Sequence, residues 1–88
     1  MTAEAPEVDP FALLTARQCA GWTGLTEQAI YNWWRRGHLP QAADENGAPL
    51  TDPRGKRLYR LVDLARADAK MAAQREQMAL RILASSAA

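Results

Sequence analysis

The stretch Thr26-Glu27-Gln28-Ala29-Ile30-Tyr31-Asn32-Trp33-Trp34-Arg35-Arg36-Gly37-His38-Leu39-Pro40 carries the start, body and stop of one helix. Thr26 suits the N-cap, and Leu25 before it is placed to staple onto Ile30. Glu27 in the first turn and Arg35 and Arg36 in the last each have the sign that complements the helix dipole. Ile30, Trp33 and Trp34 form the apolar stripe, which predicts a buried Trp33. Gly37 stands where a left-handed cap belongs, with His38 positioned to cap carbonyls, and Pro40 blocks continuation.

Immediately upstream the same logic repeats. Thr15 and Gln18 have the spacing of a capping box, and Leu14 is placed to staple onto Cys19. Ala16, Cys19 and Ala20 share a face, Gly21 weakens the helix, and the end falls near Thr23 with Gly24 as the turn. Trp22 is expected to pack over that turn. Two short helices joined by a tight glycine-containing turn are a helix-turn-helix pattern.

Downstream, residues 41–55 are rich in turn formers: Asn46-Gly47, then Asp52-Pro53-Arg54-Gly55 with Pro and Gly where a type I turn prefers them. Residues 56–60 read as a short strand, with Leu58 facing the core and Arg57 and Tyr59 facing outward. A long helix is predicted over residues 61–83, with Leu61, Val62, Leu64 and Ala65 packing on the earlier helices. Leu64, Met71 and Met78 recur every seven residues, and Ile82 follows. That row reads either as a self-association seam through Met71, Met78 and Ile82 or as a frayed helix, because Asp68 and Arg75 occupy the alternate seam positions. The expected organisation is a disordered acidic tail over 1–10, a domain over 11–69, and a helical extension over 70–88. The fold class is mainly α with a small β-hairpin: a winged helix-turn-helix followed by a long C-terminal helix.

Composition narrows the function classes. Eighty-eight residues with 48% hydrophobic content allow one small core. Cys19 and His38 are the only residues of their types, which excludes an internal disulfide and a structural zinc site built from this chain. No motif places a nucleophile beside a base, so no catalytic residue, metal or cofactor is expected. No apolar run approaches the ~20 residues of a membrane span. The acidic N-terminus has the wrong charge for a targeting signal, so the expected location is the cytoplasm, on the nucleoid through DNA. Net charge is only +1, but Glu4, Glu7 and Asp9 lie in the first ten residues, which hold no Lys or Arg. The rest therefore carries +4. Its cations cluster at Arg35-Arg36 and over 54–60, and clustering governs phosphate contact more than the total does.

The exposed face of the second helix offers Glu27, Gln28, Tyr31, Asn32 and Arg35, side chains of the types that read base edges; such a face is otherwise simply solvated. The hairpin adds Arg54, Lys56 and Arg57 beside Tyr59, a compact phosphate-binding set. Trp22, Trp33 and Trp34 would suit a single-strand stacking platform, but Trp33 has core spacing. The candidate contacts to double-stranded DNA are thus Thr26, Gln28, Tyr31, Asn32, Arg35 and Arg36 on the second helix. Arg54, Lys56, Arg57 and Tyr59 serve on the wing, and Arg17 on the first helix.

Five runs together resemble the MerR-like winged-helix superfamily. They are Leu14-Thr15-Ala16-Arg17-Gln18-Cys19-Ala20, Gly24-Leu25-Thr26, Ala29-Ile30-Tyr31-Asn32-Trp33, Arg36-Gly37-His38-Leu39-Pro40, and Gly55-Lys56-Arg57-Leu58-Tyr59-Arg60-Leu61-Val62-Asp63-Leu64. The resemblance spans residues 14–69. It implies a core Trp33, with Tyr31, Asn32, Arg35, Arg57 and Tyr59 facing DNA. The superfamily includes regulators of the MerR and BldC kind and phage or plasmid excisionases. The stretch 41–53 is longer than a minimal wing, and there is no room for an effector domain. The implied function is sequence-selective DNA binding as a small transcription regulator. One alternative is an excisionase bending DNA for an integrase partner. Another is a protein-interaction module acting through the C-terminal helix.

Overall fold

The computed structural model describes residues 9–86. It is mainly helical, in the order β1 (Leu13–Leu14), α1 (Ala16–Thr23), α2 (Glu27–Arg35), β2 (Tyr59–Arg60) and α3 (Leu61–Ser86). Residues 1–8 of the expected acidic tail lie outside the described residues. Its last two residues differ from the expectation of disorder. Asp9 accepts from the Ala12 amide, and the Pro10 and Ala12 carbonyls accept from the Val62 and Leu61 amides at 2.7 and 3.0 Å. Those carbonyls satisfy two of the orphan N–H groups that open α3, which has no side-chain cap of its own.

The helix ends follow the side chains that dictate them. Thr15 and Gln18 close a reciprocal capping box on α1, and Gly24 at φ 75° ends it with its amide on the Ala20 carbonyl. Thr26 Oγ1 accepts from the Ala29 amide at the start of α2. At its end the Gly37 amide donates to the Trp34 carbonyl and the His38 amide to the Trp33 carbonyl. That pair of bonds is a Schellman closure. The His38 backbone, not its imidazole, therefore does the capping, and Nδ1 instead lies 3.4 Å from Lys70 Nζ on α3.

α1 and α2 pack on each other, and β1 pairs antiparallel with β2, Leu14 opposite Tyr59 and Leu13 opposite Arg60. The core joins Leu14, Cys19, Ile30, Leu39, Tyr59, Leu61, Leu64 and Ala67. Full burial of a side chain such as Ile30 contributes about 1.5–3 kcal/mol. Trp33, expected inside, is half-buried at the core's edge. Cys19 of α1 and Ile30 of α2 are fully buried in this core, while Ala16, Ala20, Trp33 and Trp34 pack against it only partly buried. Trp22, expected to pack over the turn, is 57% exposed. On α3 the buried set is Leu61, Leu64 and Ala67, while Ala65 is exposed.

Residues 41–58 form two stacked turns of one design. In each, an Asp amide donates to the carbonyl four residues on: Asp44 to Ala48 at 2.9 Å, Asp52 to Lys56 at 2.8 Å. In each, the Asp carboxylate accepts from the amides two and four residues on. Gly47 and Gly55 follow at φ 82° and 80°, the left-handed region where glycine is favoured. The backbones of Ala42, Leu50 and Leu58, spaced by eight, close a triangle of hydrogen bonds that ties the turns together. Residues 56–60 are therefore not one regular strand: Arg57 bridges to Thr51, and only Tyr59 and Arg60 join β1.

Candidate nucleic-acid interface

The second turn faces the helices. Thr15, Ala16 and Arg17 at the start of α1, Glu27 at the start of α2, and the 52–57 turn line an open cleft of about 550 Å³, with Tyr59 at its base. Four cations converge there: Arg17 from α1 and Arg54, Lys56 and Arg57 from the turn. Two carboxylates accompany them, and one oxygen of Asp52 is occupied by the turn's own amides. Among the described residues the ion pair is Arg66 with Asp63 on α3, at 3.8 Å, so none of the four cations is in a salt bridge with a described residue. Unpaired cations facing one opening are suited to bind an anion.

Arg57 is held rather than waving. Its guanidinium carbon sits 3.6 Å from the Trp34 ring centroid and 5.4 Å from that of Tyr31. The two rings are themselves 5.7 Å apart and tilted by 43°. On α2, Gln28 Nε2 donates to Asn32 Oδ1 at 3.4 Å, one turn apart on the polar face. Arg35 and Arg36 are exposed at the end of the helix, and Thr26 and Gln28 are exposed at its start.

Tyr59 is the correction among the expected site residues. It is 1% exposed and belongs to the core, while Leu58, expected inside, is only half-buried. Residues 56–60 are not one regular strand, and the two side chains end in different places: Tyr59 fills the interior and Arg57 lies over the Trp34 ring of α2. Burial raises the Tyr59 phenol above its usual range, opposed by the neighbouring Arg57 charge. Burial likewise pushes the Cys19 thiol up to about 11, which makes it an inert core side chain rather than a nucleophile.

Sequence reasoning missed two contacts. Trp34 is the platform for Arg57, a contact across 23 positions that no local pattern signals. Arg60 donates to the Phe11 and Ala43 carbonyls at 3.1 and 3.2 Å and so fastens the N-terminal segment to the first turn. The turns at Asn46-Gly47 and at 52–55 were both expected, and the Asp-x-x-Gly repeated at 44–47 and 52–55 is the signal of their common design. On α3, Met71 is half-buried, whereas Met78 and Ile82 are 64% and 61% exposed, so the three do not form one buried seam within the chain. No group of three or more potential metal ligands occurs among the described residues. No described helix is long and apolar enough to cross a membrane.

Comparison with known protein families, with curated proteins and with solved structures gave no match to this chain.

Proposed function

We propose that the chain binds double-stranded DNA as a winged helix-turn-helix of MerR-like type. In this reading α2 lies in the major groove and the 52–57 turn is the wing, holding phosphate. The observation that carries it is the convergence of Arg17, Arg54, Lys56 and Arg57, none in a salt bridge among the described residues, on one cleft beside α2. Gln28, Tyr31, Asn32 and Arg35 then read base edges while the cleft cations fix register on the backbone. Tyr59 serves from beneath, as support for Arg57 and not as a contact. Regulator and excisionase duty both use this docking, and measuring the bend in a bound duplex separates them. Titrating a labelled duplex over a salt series tests the binding. Four phosphate contacts give log K falling with log salt at a slope of about −3.6, and a flat response would defeat the reading.

A second reading adds protein contact through α3, where Met78, Leu80, Ile82 and Leu83 are each about 60% exposed. Sedimentation of the protein with and without residues 71–88 tests it: loss of a larger species on truncation supports it, and identical monomers refute self-association.

A further inference from the structure

We infer that Trp34 is a positioning residue for DNA binding, acting through Arg57 without itself touching the nucleic acid. The inference rests on the DNA-binding reading above and adds a role that neither the polar face of α2 nor the cationic turn implies. Trp34 belongs to the apolar stripe of α2, and sequence spacing gives it only a packing role. In the structure Trp34 packs against the core and its ring carries the guanidinium of Arg57 at 3.6 Å.

The chemistry of a stacked guanidinium explains the consequence. Its flat face is satisfied by the ring quadrupole, while its N–H donors project in the plane and stay available to an anion. One donor of Arg57 is engaged by the Tyr59 hydroxyl, and two of those that remain match the oxygens of one phosphate. An unstacked arginine on a hairpin must lose much of its rotamer freedom when it takes up that geometry. Here that freedom is reduced in the free protein, because the group already contacts the rings of Trp34 and Tyr31 and hydrogen-bonds Tyr59. Since both rings belong to α2 and Arg57 belongs to the wing, the stack also sets the distance between the base-reading helix and the phosphate-holding turn. Arg54 and Lys56, exposed and without ring partners, have no such support.

The test is a double-mutant cycle on the full chain, read by duplex binding at several salt concentrations, with Trp34→Leu, Trp34→Phe, Arg57→Gln and the Trp34→Leu/Arg57→Gln pair. Trp34→Leu should weaken binding roughly five- to thirty-fold. Trp34→Phe, which keeps a ring, should restore most of that loss. In the Arg57→Gln background Trp34→Leu should change affinity less than about two-fold, since coupled sites are not additive. In the free protein, the side-chain protons of Arg57 should show an upfield ring-current shift in the NMR spectrum that Trp34→Leu abolishes. Equal losses in both backgrounds, or Arg57 protons at ordinary positions in the wild-type chain, would overturn the role of Trp34 alone. Absence of salt-sensitive duplex binding by the wild-type chain would overturn the DNA reading, and the positioning role with it.

Discussion

The turns at 44–48 and 52–56 share their backbone and differ in their side chains. Both hang on an Asp whose carboxylate accepts two amides, and both close on a glycine near φ 80°. Around those fixed points the first carries Glu45, Asn46 and Ala48, and the second Pro53, Arg54 and Lys56. One tip is acidic and the other basic. The geometry of such a turn needs only Asp at its first position and Gly at its fourth. The remaining positions are free to carry charge, so the fold constrains the backbone and leaves the surface to function. Only the second turn borders the cleft beside α2. The first serves as an internal control: same architecture, opposite charge, different neighbours.

Four outcomes break or sharpen that comparison. The largest concerns what the turns share. Ile30→Ala empties the centre of the α1–α2 contact and should cost about 2–5 kcal/mol by denaturant unfolding, dissolving both turns in one transition. Trp33→Ala, at the margin, should cost less; the reverse order would mean that the packing described for α2 is wrong. Next comes charge. Arg54→Ala with Lys56→Ala should lower duplex affinity at least tenfold and reduce the salt slope by about two, whereas Glu45→Gln in the first turn should leave the slope unchanged. Equivalent effects from the two turns would erase the distinction. Smaller again, Gly47→Ala and Gly55→Ala should each destabilise by about 1–2 kcal/mol, because nothing lies near a Cβ at either position and the left-handed backbone is the whole penalty. Unequal costs would show that the turns are not built alike. The smallest effect on stability should come from truncation after Lys70, since Met71 is only half-buried and residues 72–85 are exposed throughout. A melting temperature changed by more than a few degrees would mean that this part of α3 supports the core after all.

What the sequence disclosed was local. Thr15 with Gln18, Thr26, Gly24 and Gly37 mark helix ends through groups only a few residues apart, and α1 and α2 begin and end where those residues direct. The long α3 followed from its length and its opening Leu61 and Leu64. What stayed hidden was non-local. The pairing of Leu13-Leu14 with Tyr59-Arg60 joins segments 45 to 47 positions apart through strands too short to show periodicity. Without that pairing, alternation within residues 56–60 could not say which way Arg57 and Tyr59 turn. Tyr59 is consequently a core residue, and Arg57 a stacked one. The candidate site was legible as a set of cations and polar side chains. Their meeting in one cleft, and the platform Trp34 provides, depend on tertiary contacts.

The most direct test of the central claim is to map amide chemical-shift changes across the chain while a duplex is titrated in at low salt. The account predicts perturbation at residues 52–57, at Arg17 and along the exposed side of α2, with residues 44–48 unmoved. Perturbation centred on residues 44–48 or 72–85, or none at saturating duplex, would contradict it.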